Sequence, residues 1–174
     1  MTEGEGTAAR GRYLTRADVA MPSPPKRAPS FRDLTQAECE AMLARHEVGR
    51  LAYTFHDRVD VEPIGYVYAD GALVFRTAPG SKVETLAHHP WVALEIDEVE
   101  GPFDWRSVVV RGTVYRLQET GNEAELRAYL AAVKSLRRLV PETFDEADPV
   151  PFRSVVMKLH IDRMTGRAAR REGQ

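Results

Sequence analysis

The chain has 174 residues, a formal net charge of −2, 43% hydrophobic residues and 29% charged residues, which suits one soluble globular domain. A pI near 6.2 argues against a general nucleic-acid-binding protein, because such proteins are usually basic. The single cysteine, Cys39, excludes an internal disulfide and a cysteine-based metal cluster. The sequence has neither an apolar run of membrane-spanning length nor the apolar core of a secretory signal. We therefore expect a cytoplasmic protein with no membrane partner.

The first thirty residues differ in composition from the rest of the chain. Residues 1–30 are rich in Gly, Pro, Arg and Ala, so they cannot bury enough apolar surface to offset the entropy of ordering them. This composition predicts a flexible N-terminal arm, followed by a folded domain over residues 31–166 and a charged, frayed tail over residues 167–174. An alternative for the arm is that Tyr13-Leu14 and the segment 19–21 clamp onto a neighbouring subunit.

Capping patterns and apolar spacing predict three helices. Thr35 with Glu38, and Thr120 with Glu123, have the spacing of a capping box, in which side chains satisfy the free N–H groups at a helix start. The first predicted helix would turn Cys39 toward the core as a small apolar residue. The predicted helices cover approximately residues 35–45, 83–88 and 120–136.

Alternating apolar residues predict six strands. Short connections between the first three, including the Asp70-Gly71 turn, indicate an antiparallel meander. The predicted fold class is mainly β with helices (α+β), a six-stranded, largely antiparallel split β-barrel. The predicted strands cover approximately residues 48–54, 59–68, 72–77, 91–96, 105–117 and 152–161.

Three local features interrupt this strand pattern. Pro63 cannot donate a ladder hydrogen bond, so it predicts a sheet edge or a bulge, with or without a ligand beside it. Gly112 predicts a bulge or bend of the kind that barrels need. The acidic segment Asp97–Pro102 lacks the ligand spacing of a calcium loop and is predicted to be a solvated loop.

The segment between the third strand and the second helix predicts a phosphate site. Arg76 and Lys82 supply positive charge, Thr77 and Ser81 supply hydroxyl donors, and Pro79-Gly80 ends the strand. A helix that starts directly after a polar turn offers free N–H groups and a positive dipole end to an anion. Arginine can hold a phosphate with two parallel hydrogen bonds, whereas lysine acts as a point charge. We call residues 76–82 the phosphate-binding turn.

These features together resemble the flavin-nucleotide-binding split-barrel family, which is related to pyridoxamine 5′-phosphate oxidase. The resemblance covers roughly residues 31–166 and is strongest over Leu73–Lys82, with Leu86 and Pro90 at family-like spacing. The order and spacing of several blocks agree, so the resemblance does not depend on one motif. The supporting blocks are residues 48–52, 62–66, 92–97, 105–112 and 161–167.

The resemblance implies a homodimer that binds two FMN molecules at the subunit interface. Carried over to this sequence, Arg76, Thr77, Ser81 and Lys82 would bind the FMN phosphate. The segment Glu62, Pro63, Ile64 and Gly65 would line the edge of the isoalloxazine ring, largely through backbone groups. Trp105 and Ser107 would approach the flavin from the partner subunit. Relatives bind a deazaflavin or haem on the same barrel, so the fold alone does not name the cofactor.

Two departures from the family limit the functional prediction. Members linked to nitroimidazole resistance have histidine where this chain has Arg76, which argues against that drug-reducing role. The substrate-phosphate arginine and histidine of true pyridoxamine phosphate oxidases have no assignable match near Met164–Arg167, which argues against vitamin B6 synthesis.

The sequence shows no acid–base or nucleophile constellation and no metal site, so the catalytic residues are unknown. A flavin carries its own redox chemistry, so this does not exclude an enzyme. Three hypotheses remain open: an FMN-dependent oxidoreductase acting on an unidentified small molecule, a non-catalytic flavin carrier or sensor, and a deazaflavin- or haem-binding relative.

Overall fold

The computed structural model describes residues 28–55 and 58–171, and of Phe55 it describes only the backbone. Most of the predicted N-terminal arm, and the suggested clamp at residues 13–14 and 19–21, lie outside the described residues. The elements are β1 Pro29–Asp33, α1 Gln36–Arg45, β2 Val48–Phe55, β3 Arg58–Ala69, β4 Ala72–Thr77, α2 Ser81–His88, β5 Trp91–Gly101, β6 Asp104–Leu117, α3 Glu123–Leu139 and β7 Val155–Arg171.

The strands form one antiparallel sheet in the order β1-β7-β4-β3-β2-β5-β6, and an additional pairing of β6 with β7 closes it. The six strands β2 to β7 therefore make a closed barrel, and β1 is an extra strand attached to β7. This confirms the predicted fold class, with one strand more than the sequence indicated.

Strand β7 is much longer than predicted because it pairs with three strands. Residues 156–160 lie between β4 and β6, and residues 167–169 lie between β1 and β6. The prediction of a frayed tail over residues 167–174 is therefore corrected for residues 167–171, which belong to β7. Residues 172–174 are not described. Ala168 and Ala169 are buried there. The folded region likewise begins at Pro29 in β1 rather than at Phe31.

The barrel interior is filled by one alternate set of side chains from each strand, as expected for a closed sheet. Interior residues from the six barrel strands include Leu51, Tyr66, Phe75, Leu94, Val110 and Leu159. Helix α1 adds Cys39, Met42 and Leu43 to this core, as its spacing predicted. A second cluster lies outside the barrel, where Ala132 and Leu136 of α3 pack on Val74 of β4 and Val156 of β7.

The helix starts confirm one capping prediction and correct the other. At α1, Thr35 and Glu38 form both bonds of the capping box. The pKa of Glu38 falls to about 2 because Arg32 and the Thr35 backbone donate hydrogen bonds to its carboxylate. At α3 the cap is Asn122 with Glu125, not Thr120 with Glu123. The asparagine oxygen accepts from both Ala124 and Glu125 N–H groups at 3.0 Å, which starts the helix two residues later.

The acidic segment predicted to be a loop is mostly strand, because basic partners neutralise its carboxylates. Strand β5 extends through Gly101 and pairs with β6 as far as Asp104. Glu98 lies 2.9 Å from His46 Nε2 and 2.7 Å from Arg45 Nε, contacts that lower its pKa. Asp97 accepts a hydrogen bond from Arg50 at 2.5 Å.

Other local predictions hold. Asp70 and Gly71 have φ values of 51° and 72°, which is the conformation of a tight hairpin turn. Pro63 lies on a part of β3 that pairs with β2 alone, which is a sheet edge. Among the described residues, no helix is both long and apolar enough to cross a membrane.

Gly112 lies at a bulge in β6, where its backbone comes very close to that of the neighbouring strand β7. The register of the β6–β7 pair shifts between Arg111 and Gly112, and a Cβ atom on Gly112 would lie 1.8 Å from the His160 carbonyl oxygen. Backbone on both sides cannot move apart without breaking the ladder that closes the barrel.

We therefore predict that Gly112→Ala lowers the free energy of unfolding by about 2 kcal/mol or more. Gly101→Ala is the matched control, since a Cβ there meets no atom within 4 Å. It should change stability by less than about 0.5 kcal/mol. Urea denaturation of both variants measures this, and equal losses would contradict the close approach at Gly112.

Candidate functional site

The phosphate-binding turn connects the end of β4 to the start of α2. Gly80 has a φ of 148°, a backbone conformation that side chains disfavour, and it is the N-cap residue of α2. No side chain from residues 28–54 or 58–171 caps this helix, whereas α1 and α3 each start with a capping box. In the described part of the chain, no acceptor is bonded to the N–H of Ser81 or Lys82. These two groups, with the helix dipole, are therefore available to an anion.

Lys82 is held in place by Glu62 of β3. Its Nζ donates to Glu62 Oε2 at 2.6 Å, and the Tyr53 hydroxyl donates to Glu62 Oε1 at 2.6 Å. These contacts hold the pKa of Glu62 below its ordinary value, Lys82 contributing most. Burial, followed by the nearby Glu62 carboxylate, raises the pKa of Tyr53. The structure thus brings two predicted site residues, Glu62 and Lys82, into direct contact.

Arg76 has a different partner. Its guanidinium forms a two-pronged ion pair with Asp148 in the connection between α3 and β7, and the Nη2 to Oδ1 distance is 2.9 Å. Both side chains are buried. The guanidinium also lies 5.6 Å from the ring centre of Phe144, at cation–π distance. Asp148 accepts further hydrogen bonds from the N–H groups of Phe144 and Val150, both at 2.9 Å.

Strand alternation explains why the two predicted cations separate. Successive side chains of β4 point to opposite faces, so Phe75 faces the barrel interior and Arg76 faces outward. Arg76 shares that outer face with Val74, which packs under α3. Lys82, in contrast, reaches Glu62, which shares the inner face of β3 with Ile64 and Tyr66. The structure therefore does not place Arg76 and Lys82 on one side of the sheet.

The predicted ring-edge segment, Glu62 to Gly65, lies at an open edge. Residues 58–65 pair with β2, and β4 joins only from Tyr66 onward. Extending the β3–β4 register would place Ile64 beside Thr77 and Gly65 beside Arg76, although these residues are not paired. No other described strand occupies this edge, so backbone groups of β3 can approach a ligand beside the phosphate-binding turn.

Trp105 and Ser107 lie elsewhere on the barrel. Both alternate with the interior residues Val108 and Val110, so they face outward on β6. The Trp105 ring lies 6.4 Å from that of Phe31, and Ser107 donates to Glu95 at 3.0 Å. Strand β6 is three strands from β3 along the sheet, roughly 14 Å at normal strand spacing. One subunit therefore does not unite these residues with Lys82.

Two residues of this region were not selected from the sequence. Tyr53 lies in the strand predicted over residues 48–54, and its contact with Glu62 follows from the β2–β3 register. Asp148 is 72 residues from Arg76 and lies in the connection between α3 and β7. No local spacing connects the two, so only the folded chain identifies the pair.

The buried pair gives a stability prediction. Asp148→Asn keeps the size of the side chain but removes the charge that compensates Arg76, and a buried cation without a partner is strongly unfavourable. We expect the melting temperature to fall by roughly 5–10 °C at neutral pH. Asp145→Asn, which affects the exposed pair with Arg137 on the same connection, should change it much less.

The pH dependence of the same variants tests the cause. Arg76 and the Phe144 and Val150 N–H groups hold the pKa of Asp148 below its ordinary value. The pair therefore stabilises the fold above the ordinary carboxyl pKa of about 4, and this stabilisation is lost as pH falls toward the lowered pKa. The melting-temperature difference between wild type and Asp148→Asn should be greatest above pH 5 and shrink toward pH 2. A pH-independent difference would contradict this assignment.

Comparison with known proteins places this geometry in a family. The family model described as pyridoxamine 5′-phosphate oxidase matches residues 35–168. An uncharacterised protein of Rhizobium meliloti (strain 1021) is 30% identical over 146 residues, covering 79% of this chain and 95% of the relative.

Solved structures share the fold. The crystal structure of a FAD-binding protein from Mesorhizobium loti superposes with a TM-score of 0.65 at 28% identity, covering 79% of this chain and 96% of the other. The FAD and heme binding protein from Mycobacterium smegmatis has a TM-score of 0.59 at 17% identity, covering 81% and 74%. The second likeness shows the fold alone. With the family model matching most of the chain, this protein belongs to the pyridoxamine 5′-phosphate oxidase family.

Proposed function

We propose that this protein binds the flavin nucleotide FMN at the phosphate-binding turn and acts as an FMN-dependent oxidoreductase on a small molecule. The proposal is supported by family membership and by the likeness to a structure described as a FAD-binding protein. The observation that carries it is the start of α2. There the helix terminus has no side-chain cap among the described residues, which also supply no acceptor to two of its N–H groups, and the ammonium of Lys82 lies beside it next to the open edge of β3.

The residues present fit the phosphate of a flavin nucleotide in part. Ser81 and Lys82 offer backbone and side-chain donors, and Thr77 ends the strand beside them. Arg76 would have to leave Asp148 before it could bind the phosphate, so we assign Arg76 a stabilising role in the α3–β7 connection. Bound FMN would supply the hydride or electron transfer, while the protein would position it and exclude competing reactions.

Two other functions use the same barrel. A flavin carrier or sensor would bind FMN without turnover, and a deazaflavin- or haem-binding protein would use a different cofactor. The absorbance spectrum of the freshly purified protein, with mass identification of the heat-released ligand, separates FMN, FAD, deazaflavin and haem. Bleaching of a flavin spectrum by a reduced nicotinamide cofactor under anaerobic conditions, followed by reoxidation in air, indicates an oxidoreductase. A bound flavin that no donor reduces would favour the carrier or sensor.

Lys82→Ala should weaken FMN binding roughly tenfold or more, because it removes the charge-assisted hydrogen bond of this site to the phosphate. Riboflavin, which has no phosphate, should bind wild type and variant equally. Lys134→Ala, at an exposed position of α3, is the matched control and should leave both affinities unchanged. Fluorescence titration measures all three proteins. Undiminished FMN affinity in Lys82→Ala would contradict the phosphate assignment.

We further propose that two copies form a homodimer that completes the flavin site. The outer face of the barrel carries exposed apolar side chains, Val59 and Val61 on β3 and Trp91 and Val99 on β5. Trp105 and Ser107 lie on the outer face of β6 and cannot contact Lys82 within one subunit, so a second copy would be needed to bring them to the flavin.

Val61→Glu should therefore convert the dimer to a monomer and release flavin, because it places a charge in an apolar contact. Leu130→Glu on α3, where the leucine is also exposed, is the matched control and should remain dimeric. Sedimentation analysis at micromolar concentration measures this against twice the chain mass of 19.5 kDa. A wild-type monomer that retains flavin would contradict the shared site.

A further inference from the structure

The carboxylate of Glu62 already accepts a hydrogen bond from the ammonium of Lys82, the group that the proposed function assigns to the phosphate. Both Glu62 oxygens are bonded, one to Lys82 and the other to Tyr53, each at 2.6 Å. Tyr53 is only 5% exposed and belongs to the barrel core, so its hydroxyl holds the carboxylate at a fixed position. The side chain of Lys82 is 19% exposed and that of Glu62 is 43% exposed, so solvent and ligands can reach the pair.

The charges at this point do not favour a phosphate without rearrangement. Arg76 is compensated by Asp148, and Lys82 is compensated by Glu62. A dianionic phosphate that approaches Lys82 therefore meets a carboxylate within hydrogen-bond distance of the same ammonium. The phosphate can bind the ammonium only if Glu62 gives up its own bond to Lys82, and the free energy of that lost bond is subtracted from the free energy of phosphate binding. In this way the carboxylate of Glu62 opposes binding of the phosphate.

This opposition applies only to the phosphorylated end of the ligand. Glu62 also lies at the open edge of β3, where a flavin ring could approach the backbone, but an uncharged ring is not repelled by a carboxylate. The pair would thus lower the affinity for a phosphorylated flavin while leaving that for its unphosphorylated form unchanged.

We propose that Glu62 is an internal competitor for Lys82, held in place by Tyr53, which limits the affinity of the site for the phosphate of a phosphorylated flavin. This inference rests on the proposed function of the phosphate-binding turn. It adds a specificity-determining residue, Glu62, and a positioning residue, Tyr53.

The test compares FMN with riboflavin on the Glu62→Gln variant of the full-length protein. Glutamine keeps an oxygen that can accept from Tyr53 and Lys82 but removes the negative charge. FMN should bind roughly threefold more tightly than to wild type, while the affinity for riboflavin should stay the same within error. Glu123→Gln, which neutralises a carboxylate in the exposed α3 pair with Arg127, is the matched control and should alter neither affinity.

A double-variant cycle tests whether the effect acts through Lys82. In a Lys82→Ala background, Glu62→Gln should improve FMN binding by less than the roughly threefold gain expected in the wild-type background. The reason is that the carboxylate then has no ammonium to compete for. Tyr53→Phe should change the FMN-to-riboflavin affinity ratio in the same direction as Glu62→Gln, since it frees the carboxylate to turn away from Lys82.

Each outcome decides the proposal. Unchanged FMN affinity in Glu62→Gln overturns it, and so does an equal loss for FMN and riboflavin, which would make Glu62 a ring contact. An equal improvement in the Lys82→Ala background also overturns it, since the effect would then be long-range charge alone. Wild-type protein that binds neither FMN nor riboflavin removes the proposed function itself, and this inference with it. If both proteins bind the flavins and the FMN-to-riboflavin affinity ratio is the same in wild type and Glu62→Gln, only the proposed role of Glu62 is overturned.

Discussion

The hydrogen-bonded ladder between β6 and β7 is the constraint on which the rest of the structure depends. It runs from Trp105 with Ala169 to Leu117 with Val156, and it closes the sheet into a barrel. Closure pairs most of the edges that an open sheet would expose, and the part of β3 before Tyr66, which β4 does not cover, stays open. Because β7 exceeds the length of its other partners, it pairs with β4 near its start and with β1 near its end. One side of β7 is therefore shared by β4 and β1, while β6 lies along its other side. The close approach at Gly112 follows from this β6–β7 ladder.

Around this barrel, charge pairs determine which polar residues remain available to a ligand. Arg76 and Asp148 fasten the connection after α3 to the outer face of β4, and Glu98 and Asp97 are paired with basic residues of α1 and β2 or their flanks. A side-chain charge that is paired within the protein is no longer free to attract a charged ligand. At the start of α2 the N–H groups of Ser81 and Lys82 keep no protein acceptor in the described part of the chain, while the ammonium of Lys82 is shared with Glu62. The phosphate-binding turn thus combines backbone donors with one cation whose charge is already partly compensated.

Local sequence signals predicted those parts of the fold that depend on local interactions. The Thr35 capping box, the Asp70-Gly71 turn and the burial of Cys39 are determined by residues within a few positions of one another, and the structure confirms them. The second cap was placed two residues early because Thr120–Glu123 and Asn122–Glu125 have the same spacing, and only Asn122 is bonded to the helix start. The sequence predicts a solvated loop at the end of β5, whereas the structure has a strand whose carboxylates are paired with basic residues of other elements.

The sequence by itself determined a mainly β barrel with three helices, the turn that joins β4 to α2 and the family resemblance, because alternation, caps and turn residues act over short distances. The tertiary structure decided which charges meet. Arg76 and Lys82 are six positions apart, yet strand alternation and the bend at Gly80 direct them to opposite faces. Arg76 pairs with Asp148, which lies in the connection between α3 and β7. Lys82 pairs with Glu62 because β3 extends beyond the end of β4. Long-range pairing of this kind depends on the packing of the whole barrel, and no local spacing encodes it.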